Sequence, residues 1–175
     1  MTDKQCYKTF MKIKLFKDCK DQCPKGVRLL GMDVGRKTLG LALSDSGQSL
    51  ATPLMTIQRT KFSKDMEQLK AVLEEYEIGG FIVGWPINMD GTFSRTCDMV
   101  QSFVDEMRQH TDVIEQNPFI AFIDERLSTS EVDNSLDNRV DMKRSDKRGA
   151  KEKGLVDQLA AQIILQGALD SIQKT

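Results

Sequence analysis

The sequence predicts an α/β domain built on a five-stranded mixed sheet with helices on both faces. Three short apolar runs follow one another after residue 26 with only tight turns between them, which indicates an antiparallel meander. Two later apolar runs alternate with segments of helical periodicity, which favours right-handed crossovers and parallel pairing. The predicted order is three strands, helix, strand, helix, strand, helix, helix.

The strands are predicted at residues 27–32, 39–43, 50–57, 81–83 and 119–123. Apolar residues recur at helical spacing from Phe62 to Tyr76, and Gly79 and Gly80 are expected to end this first helix. The second helix is recognised by a single apolar face made of Val100, Phe103, Val104 and Met107.

Two more helices are predicted after the fifth strand. Ser128 and Glu131 fit a capping box, so a helix is expected to begin there. The last helix is expected from about Leu155, with Asp157 on the flank of its buried stripe. That stripe is predicted to consist of Val156, Leu159, Ala160, Ile163, Ile164 and Gly167.

Length and composition favour one domain over residues 26–175, preceded by an N-terminal extension over 1–25 that we expect to be mobile or weakly docked. The extension lacks the apolar core of a signal peptide, and no apolar run approaches the ~20 residues of a membrane span. Cys19 and Cys23 are expected to be free thiols, because no second pair at zinc spacing follows. We therefore expect a cytoplasmic protein without a membrane partner, a monomer or weak homodimer.

Acidic residues fall at the ends of successive core elements. Asp33 closes the first strand, Asp124 and Glu125 close the fifth, and Asp157 lies early in the last helix. The carboxyl ends of parallel strands share one edge of a sheet, so these side chains are expected to converge. Neighbouring carboxylates repel unless a cation lies between them, and oxygen ligands suit Mg²⁺ or Mn²⁺. Such ions hydrolyse phosphodiesters without a side-chain nucleophile.

Each acid also has a simpler interpretation. Asp157 could favour a helix N-terminal region through the macrodipole, and Asp33 could be a turn residue. Asp124 or Glu125 could pair with Arg126 on the surface. The joint position of the acids favours a metal site over these three separate explanations.

Four motifs, in this order, resemble the YqgF/RuvX family of the RNase H-like superfamily. They are GMDVG at 31–35 continued through 40–45, IVGWPINMDG at 82–91, DERLST at 124–129 and VDQLAAQIILQG at 156–167. The resemblance covers roughly residues 27 to 172 and implies an RNase H-like fold. Trp85, where a smaller aliphatic residue is expected, and Gly149-Ala150, within a basic segment, depart from the family pattern.

The resemblance implies a metal-dependent nuclease that acts on structured nucleic acid. Its implied role is maturation of the 5′ end of small-subunit ribosomal RNA, with Holliday-junction resolution on branched DNA as an alternative. It places Asp33, Glu125 and Asp157 on the family's catalytic acids and metal ligands. Asp124 is a neighbouring candidate that could exchange roles with Glu125.

Several basic residues are candidates for binding phosphates, with salt-dependent and largely sequence-independent affinity. These candidates are Arg36, Lys37, Arg95, Arg126, Lys143, Arg144, Lys147 and Arg148. Because Asp146 and Glu152 interrupt the segment 143–153, a solvated loop is an equal alternative there. Trp85 could stack on an unpaired base, although a tryptophan beside a proline is more often packed.

Two other classes of protein stay open. A nucleotide-binding domain of the actin/Hsp70/sugar-kinase type has a phosphate loop similar to residues 31–35. It also needs a second acidic-glycine loop, which we do not find in the sequence. A catalytically silent assembly factor that grips RNA through its basic segment is the other alternative.

Overall fold

The computed structural model describes residues 14–88, 90–114, 118–125 and 149–174, with backbone alone for 149–153. The strands are β1 (Arg28–Val34), β2 (Thr38–Ser44), β3 (Ala51–Gln58), β4 (Ile78–Trp85) and β5 (Phe119–Asp124). They form one sheet in the order β3-β2-β1-β4-β5. The first three strands pair antiparallel, whereas β4 pairs parallel with both β1 and β5. The predicted meander followed by parallel strands is confirmed.

Helices cover both faces of this sheet, as predicted. The described helices are α1 (Phe16–Cys19), which runs into a 3₁₀ turn at Lys20–Gln22, α2 (Phe62–Tyr76), α3 (Arg95–Met107) and α4 (Gly149–Gln173). Helices α2 and α3 share one apolar core with the sheet, and α4 and α1 share a second core on the opposite face. None of the described helices is both long and apolar enough to cross a membrane.

Strand β1 divides its side chains between the two cores. Leu30, Met32 and Val34 pack in the core of α2 and α3, while Leu29 packs in the core of α4. Successive side chains of a strand point to opposite faces, so Asp33 lies on the α4 face. Asp33 pairs with Gly40 inside the ladder, which excludes the simpler interpretation of Asp33 as a turn residue.

The first long helix ends without the glycines predicted to stop it. Glu77 follows α2 with a φ of 48°, the left-handed conformation that commonly ends helices. Gly79 and Gly80 consequently belong to β4, which extends past the predicted residues 81–83 in both directions to run from Ile78 to Trp85.

The last helix begins at Gly149, earlier than the predicted Leu155, and its buried stripe differs from the predicted one. Ile164 is buried as expected, whereas Val156 is 44% exposed. Among residues 154–173 of α4, the other buried side chains are Ala161, Leu165, Ala168 and Leu169. The predicted Leu159, Ala160, Ile163 and Gly167 are half-buried, so the stripe is displaced by about one residue. The backbone of α4 at Ala161 packs directly over Gly31 of β1, a contact that apolar spacing does not reveal. The helix predicted from Ser128 lies outside the described residues.

Residues 14–23 pack against the sheet edge formed by β5. The backbone N–H of Phe122 donates to the Lys14 carbonyl at 2.9 Å, and Leu15 forms a parallel bridge with Phe122. Phe16 is 2% exposed, and its ring meets the edge of Phe119 at a centroid distance of 6.4 Å. We expected residues 1–25 to form a mobile or weakly docked extension, but residues 14–23 contain side chains that are buried against the sheet. Residues 1–13 lie outside the described residues.

Cys19 and Cys23 are both free and both buried in the α4 core. Burial raises the pKa of Cys23 to about 11, with the neighbouring Cys19 as the second cause. A thiol with so high a pKa is a poor nucleophile at neutral pH. These cysteines are therefore packing residues of the N-terminal segment.

Phe16→Ala should lower the free energy of unfolding by about 3 kcal/mol, because it removes a buried aromatic ring. Urea denaturation at neutral pH measures the change. Lys17→Ala is the matched control, since the neighbouring Lys17 is exposed on the same helix. Equal stabilities for the two variants would show that residues 14–23 do not contribute to the fold.

Candidate active site

Helix α4 brings Asp157 next to Asp33. Asp33 pairs with Gly40 of β2, and a Cβ on Gly40 would clash with the backbone carbonyl of Asp157. The backbone of α4 therefore rests directly on β2 at this point. Asp157 is the ninth residue of α4, and the macrodipole acts within the first turn, so the simpler interpretation from the dipole does not apply.

Glu125 lies on the other side of Asp33. Met32 pairs with Val83, so Gly84 occupies the position on β4 beside Asp33. A Cβ on Gly84 would lie 2.5 Å from Oε1 of Glu125. The Glu125 carboxyl group consequently occupies space over β4 that a side chain at residue 84 would fill. Three acids from separate elements thus adjoin on the α4 face.

The structure separates Asp124 from Glu125, which the sequence left interchangeable. Asp124 is the last residue of β5 and pairs with Trp85, whose side chain packs in the core of α2 and α3. Strand alternation directs Asp124 toward that face, opposite the one on which Glu125 and Asp33 lie.

The acids influence one another electrostatically. Burial raises the pKa of Asp33 to about 6, with the nearby Asp157 carboxylate as the second cause. Burial also raises the pKa of Glu125 to about 7, followed by repulsion from Asp33 and then from Asp124. Desolvation and like charge both disfavour an ionised carboxylate, so a cation placed among these acids would favour their ionised forms.

The residues present fit a hard divalent cation. Oδ2 of Asp157 is buried and accepts no hydrogen bond from any described residue, which is costly for a carboxylate oxygen. Asp33, Glu125 and Asp157 offer oxygen atoms only, the ligand type of Mg²⁺ and Mn²⁺. Within the described part of the chain, however, no three acidic, histidine or cysteine side chains already form a metal-binding group. Sharing one ion among all three acids requires side-chain movement.

The predicted phosphate-binding residues are only partly described. Arg36 and Lys37 are exposed in the turn after β1, and Arg95 is exposed at the start of α3. The turn and the loop before α3 follow the carboxyl ends of β1 and β4, the edge that carries the acids. The remaining candidates, Arg126, Lys143, Arg144, Lys147 and Arg148, lie outside the described residues.

Trp85 is a packed residue and not a platform for a base. Its side chain is 3% exposed, and its ring meets Phe122 edge-on at 5.1 Å. The roles of Gly40 and Gly84 were not predicted from the sequence. The sequence feature that could have revealed them is a glycine within an apolar strand at a position paired with an acid on the neighbouring strand. Such a glycine allows a helix or a carboxylate to approach the sheet closely.

Comparison with known sequences agrees with the motifs. The model of the RuvX family, described as Holliday junction resolvase, matches residues 27–171. A protein of Rhodospirillum centenum named "Putative pre-16S rRNA nuclease" is 40% identical over 164 residues, 94% of this chain and 84% of that one. A protein of the same name from Paramagnetospirillum magneticum is 45% identical over 144 residues, 82% of this chain and 86% of that one.

Comparison with solved structures supports the same fold. The chain is similar to Thermus thermophilus RuvC in complex with a Holliday junction substrate, with a TM-score of 0.55 and 12% identity. The match covers 85% of this chain and 97% of RuvC. At this identity the likeness concerns the fold alone, and it confirms the RNase H-like architecture that the motifs implied. The family match, which spans most of the chain, and the identities of 40% and above show that the chain belongs to the RuvX family of nucleases.

Proposed function

We propose that this chain is a metal-dependent endonuclease that processes the 5′ end of precursor 16S ribosomal RNA in the cytoplasm. The observation that carries the proposal is the meeting of Asp33, Glu125 and Asp157 on one face of the sheet. The choice of RNA is supported by the names of relatives at 40–45% identity, and the compartment follows from that substrate.

Asp33, Glu125 and Asp157 are the proposed ligands of Mg²⁺ or Mn²⁺. When bound, such an ion polarises the scissile phosphate and lowers the pKa of water, so that phosphodiester hydrolysis needs no side-chain nucleophile. The chain itself supplies Asp33 and Glu125, whose burial raises their pKa values, and Asp157, whose buried Oδ2 accepts no hydrogen bond from a described residue. Asp124, directed to the opposite face, is proposed to influence Glu125 only through its charge.

The raised pKa values link cation binding to proton release. Near neutral pH the Glu125 carboxyl group, with a pKa of about 7, is partly protonated without a cation. A cation binds the ionised carboxylates and displaces these protons, so its affinity should increase as the pH rises through this range. This behaviour is expected for a site whose ionised carboxylates are destabilised when no cation is bound.

Substrate binding is assigned to exposed cations around the acids. Arg36, Lys37 and Arg95, which are exposed in loops at the carboxyl ends of β1 and β4, are proposed to contact backbone phosphates. Such contacts hold nucleic acid without reading its sequence. Arg126, Lys143, Arg144, Lys147 and Arg148 are proposed for the same role on sequence alone.

Branched DNA is the second candidate substrate, because the family is described as Holliday junction resolvase. Competition decides between the two: unlabelled four-way junction DNA and unlabelled precursor RNA are titrated against cleavage of labelled precursor RNA. We expect the RNA to compete at lower concentration than the junction. Binding of RNA without cleavage at any Mg²⁺ or Mn²⁺ concentration would instead identify a catalytically silent assembly factor.

Asp33→Asn should stabilise the metal-free protein at pH 8 by on the order of 1 kcal/mol, a figure discounted for partial solvent access. The folded pKa of Asp33 lies above its usual value, so the folded state holds a proton that the unfolded state loses. The contribution of Asp33 to stability therefore falls as the pH rises from about 4 through about 6. Denaturation in EDTA at pH 4 and pH 8 measures the difference.

The stabilisation by Asp33→Asn should shrink at pH 4, where the wild-type carboxyl group is already neutral. Glu67→Gln serves as the control, because Glu67 is an exposed carboxylate on α2 and should show no such gain. An equal gain from Asp33→Asn at both pH values would contradict the electrostatic explanation.

Asp33→Asn, Glu125→Gln and Asp157→Asn should each reduce Mn²⁺-dependent cleavage of 5′-labelled precursor rRNA by more than about 100-fold. Each replaces an anionic metal ligand with a neutral amide of the same shape. Initial rates on a denaturing gel, with circular dichroism to check folding, provide the measurement.

Asp124→Asn is the matched comparison for Glu125→Gln, since the two acids are adjacent but directed to opposite faces. We expect Asp124→Asn to reduce cleavage far less than Glu125→Gln. The reverse order would assign the ligand to Asp124, and full activity in Asp33→Asn would exclude the proposed site.

The double variant Arg36→Gln/Lys37→Gln should weaken RNA binding and reduce the slope of log K against log salt by about 1 to 2, one unit or less per lost phosphate contact. Fluorescence anisotropy of a labelled RNA hairpin, in EDTA over a range of KCl concentrations, measures both quantities. A slope equal to that of the wild type would show that the turn after β1 does not touch phosphates.

A further inference from the structure

Arg59 holds the turn that follows Asp33. Its Nη1 donates to the carbonyl of Gly35 at 2.6 Å, and its backbone N–H donates to the carbonyl of Lys37 at 2.9 Å. A hydrogen bond within the turn also stabilises it, because the backbone N–H of Gly35 donates to the carbonyl of Thr38 at 2.8 Å. One residue beyond the end of β3 therefore ties down both ends of the segment 35–37.

The guanidinium of Arg59 is fixed from its other side by two helices. Nε lies 3.7 Å from Oδ2 of Asp65, a residue of α2 that is 1% exposed. The guanidinium carbon lies 4.9 Å from the ring centroid of Phe103 on α3, within cation–π range. Oδ1 of Asp65 in turn accepts the backbone N–H of Thr60 at 3.0 Å. The position of Arg59 is thus set by the core that lies on the opposite face of the sheet from the acids.

If Arg59 served only to stabilise the fold, its hydrogen bond to the turn 35–37 would have no further explanation. The charge-assisted hydrogen bond of Arg59 ends on the turn that carries Arg36 and Lys37, both exposed. A flexible turn would lose conformational entropy on binding nucleic acid, and a turn fixed in advance avoids that loss. Lysine cannot replace the arginine, because an ammonium group lacks the planar fork that faces an aromatic ring while donating to a carbonyl.

We propose that Arg59 is a positioning residue for nucleic-acid binding, which fixes the turn so that Arg36 and Lys37 meet substrate phosphates. The inference rests on the proposed function, since it requires a nucleic-acid ligand. Arg59 acts through the turn and does not itself touch the substrate.

A double-mutant cycle tests the inference with the full chain. Anisotropy of a fluorescein-labelled RNA hairpin with a single-stranded 5′ flank is measured in EDTA over a range of KCl concentrations, well below the melting temperature of each variant. Arg59→Lys should weaken binding by about 5- to 10-fold and lower the salt slope, as expected for displaced phosphate contacts. In the Arg36→Gln/Lys37→Gln background it should change the affinity by less than about 2-fold, because the contacts it positions are already gone.

Arg28→Lys is the matched control. Arg28 also donates to a backbone carbonyl, that of Ser44 at 3.5 Å, but it lies at the start of β1, away from the acids. We expect the RNA affinity and the salt slope of the Arg28→Lys variant to equal those of the wild type. This result would exclude a general effect of replacing an arginine with lysine.

Three results would overturn the inference. Arg59→Lys could melt at a lower temperature yet bind RNA like the wild type, which would make Arg59 a stabilising residue only. It could also weaken binding equally in both backgrounds, which would mean that it acts independently of Arg36 and Lys37. A wild-type chain that binds neither this RNA nor junction DNA would remove the proposed function and the inference together, whereas the first two results leave the proposed function intact.

Discussion

The close approach of helix α4 to the sheet is the constraint on which the candidate site depends. Glycine at position 40 lets the helix backbone rest on β2, and this contact sets the position of Asp157 beside Asp33. Gly84 leaves room on β4 for the carboxyl group of Glu125. Replacing the missing side chains would push the helix or the carboxylate away, so the arrangement of acids follows from where the sheet lacks Cβ atoms.

The same constraint has an energetic cost. Burial and mutual repulsion disfavour the ionised forms of Asp33 and Glu125, and Oδ2 of Asp157 lacks a hydrogen-bond donor among the described residues. A core of apolar residues at these positions would fold more stably. Active sites commonly carry such a cost, because the groups that bind a cation or a transition state repel one another without it.

The sequence was sufficient for the architecture and for which acids adjoin, but not for their orientation. The apolar runs predicted an antiparallel meander followed by parallel strands, and the ends of β1 and β5 predicted that Asp33 and Glu125 would converge at one edge of the sheet. Distinguishing Asp124 from Glu125 required the register of β5, since a shift of one residue exchanges the two faces. The rotation of α4 was misjudged by about one residue, because apolar spacing does not reveal that the helix backbone at Ala161 rests on Gly31 of β1. Arg59 could not be found from sequence, because its partners Gly35, Asp65 and Phe103 come from three other segments.

The pairing of Lys14 and Leu15 with β5 bears on where this protein can be shortened. The family match begins at residue 27, and a chain cut there would lose the backbone acceptor of the Phe122 N–H and the ring that covers Phe119. Strand β5 would then present an open, apolar border to solvent. Such borders recruit strands from other molecules, so the shortened chain would be inclined to associate edge to edge. The packed unit therefore begins before residue 27, where the match to the family model begins.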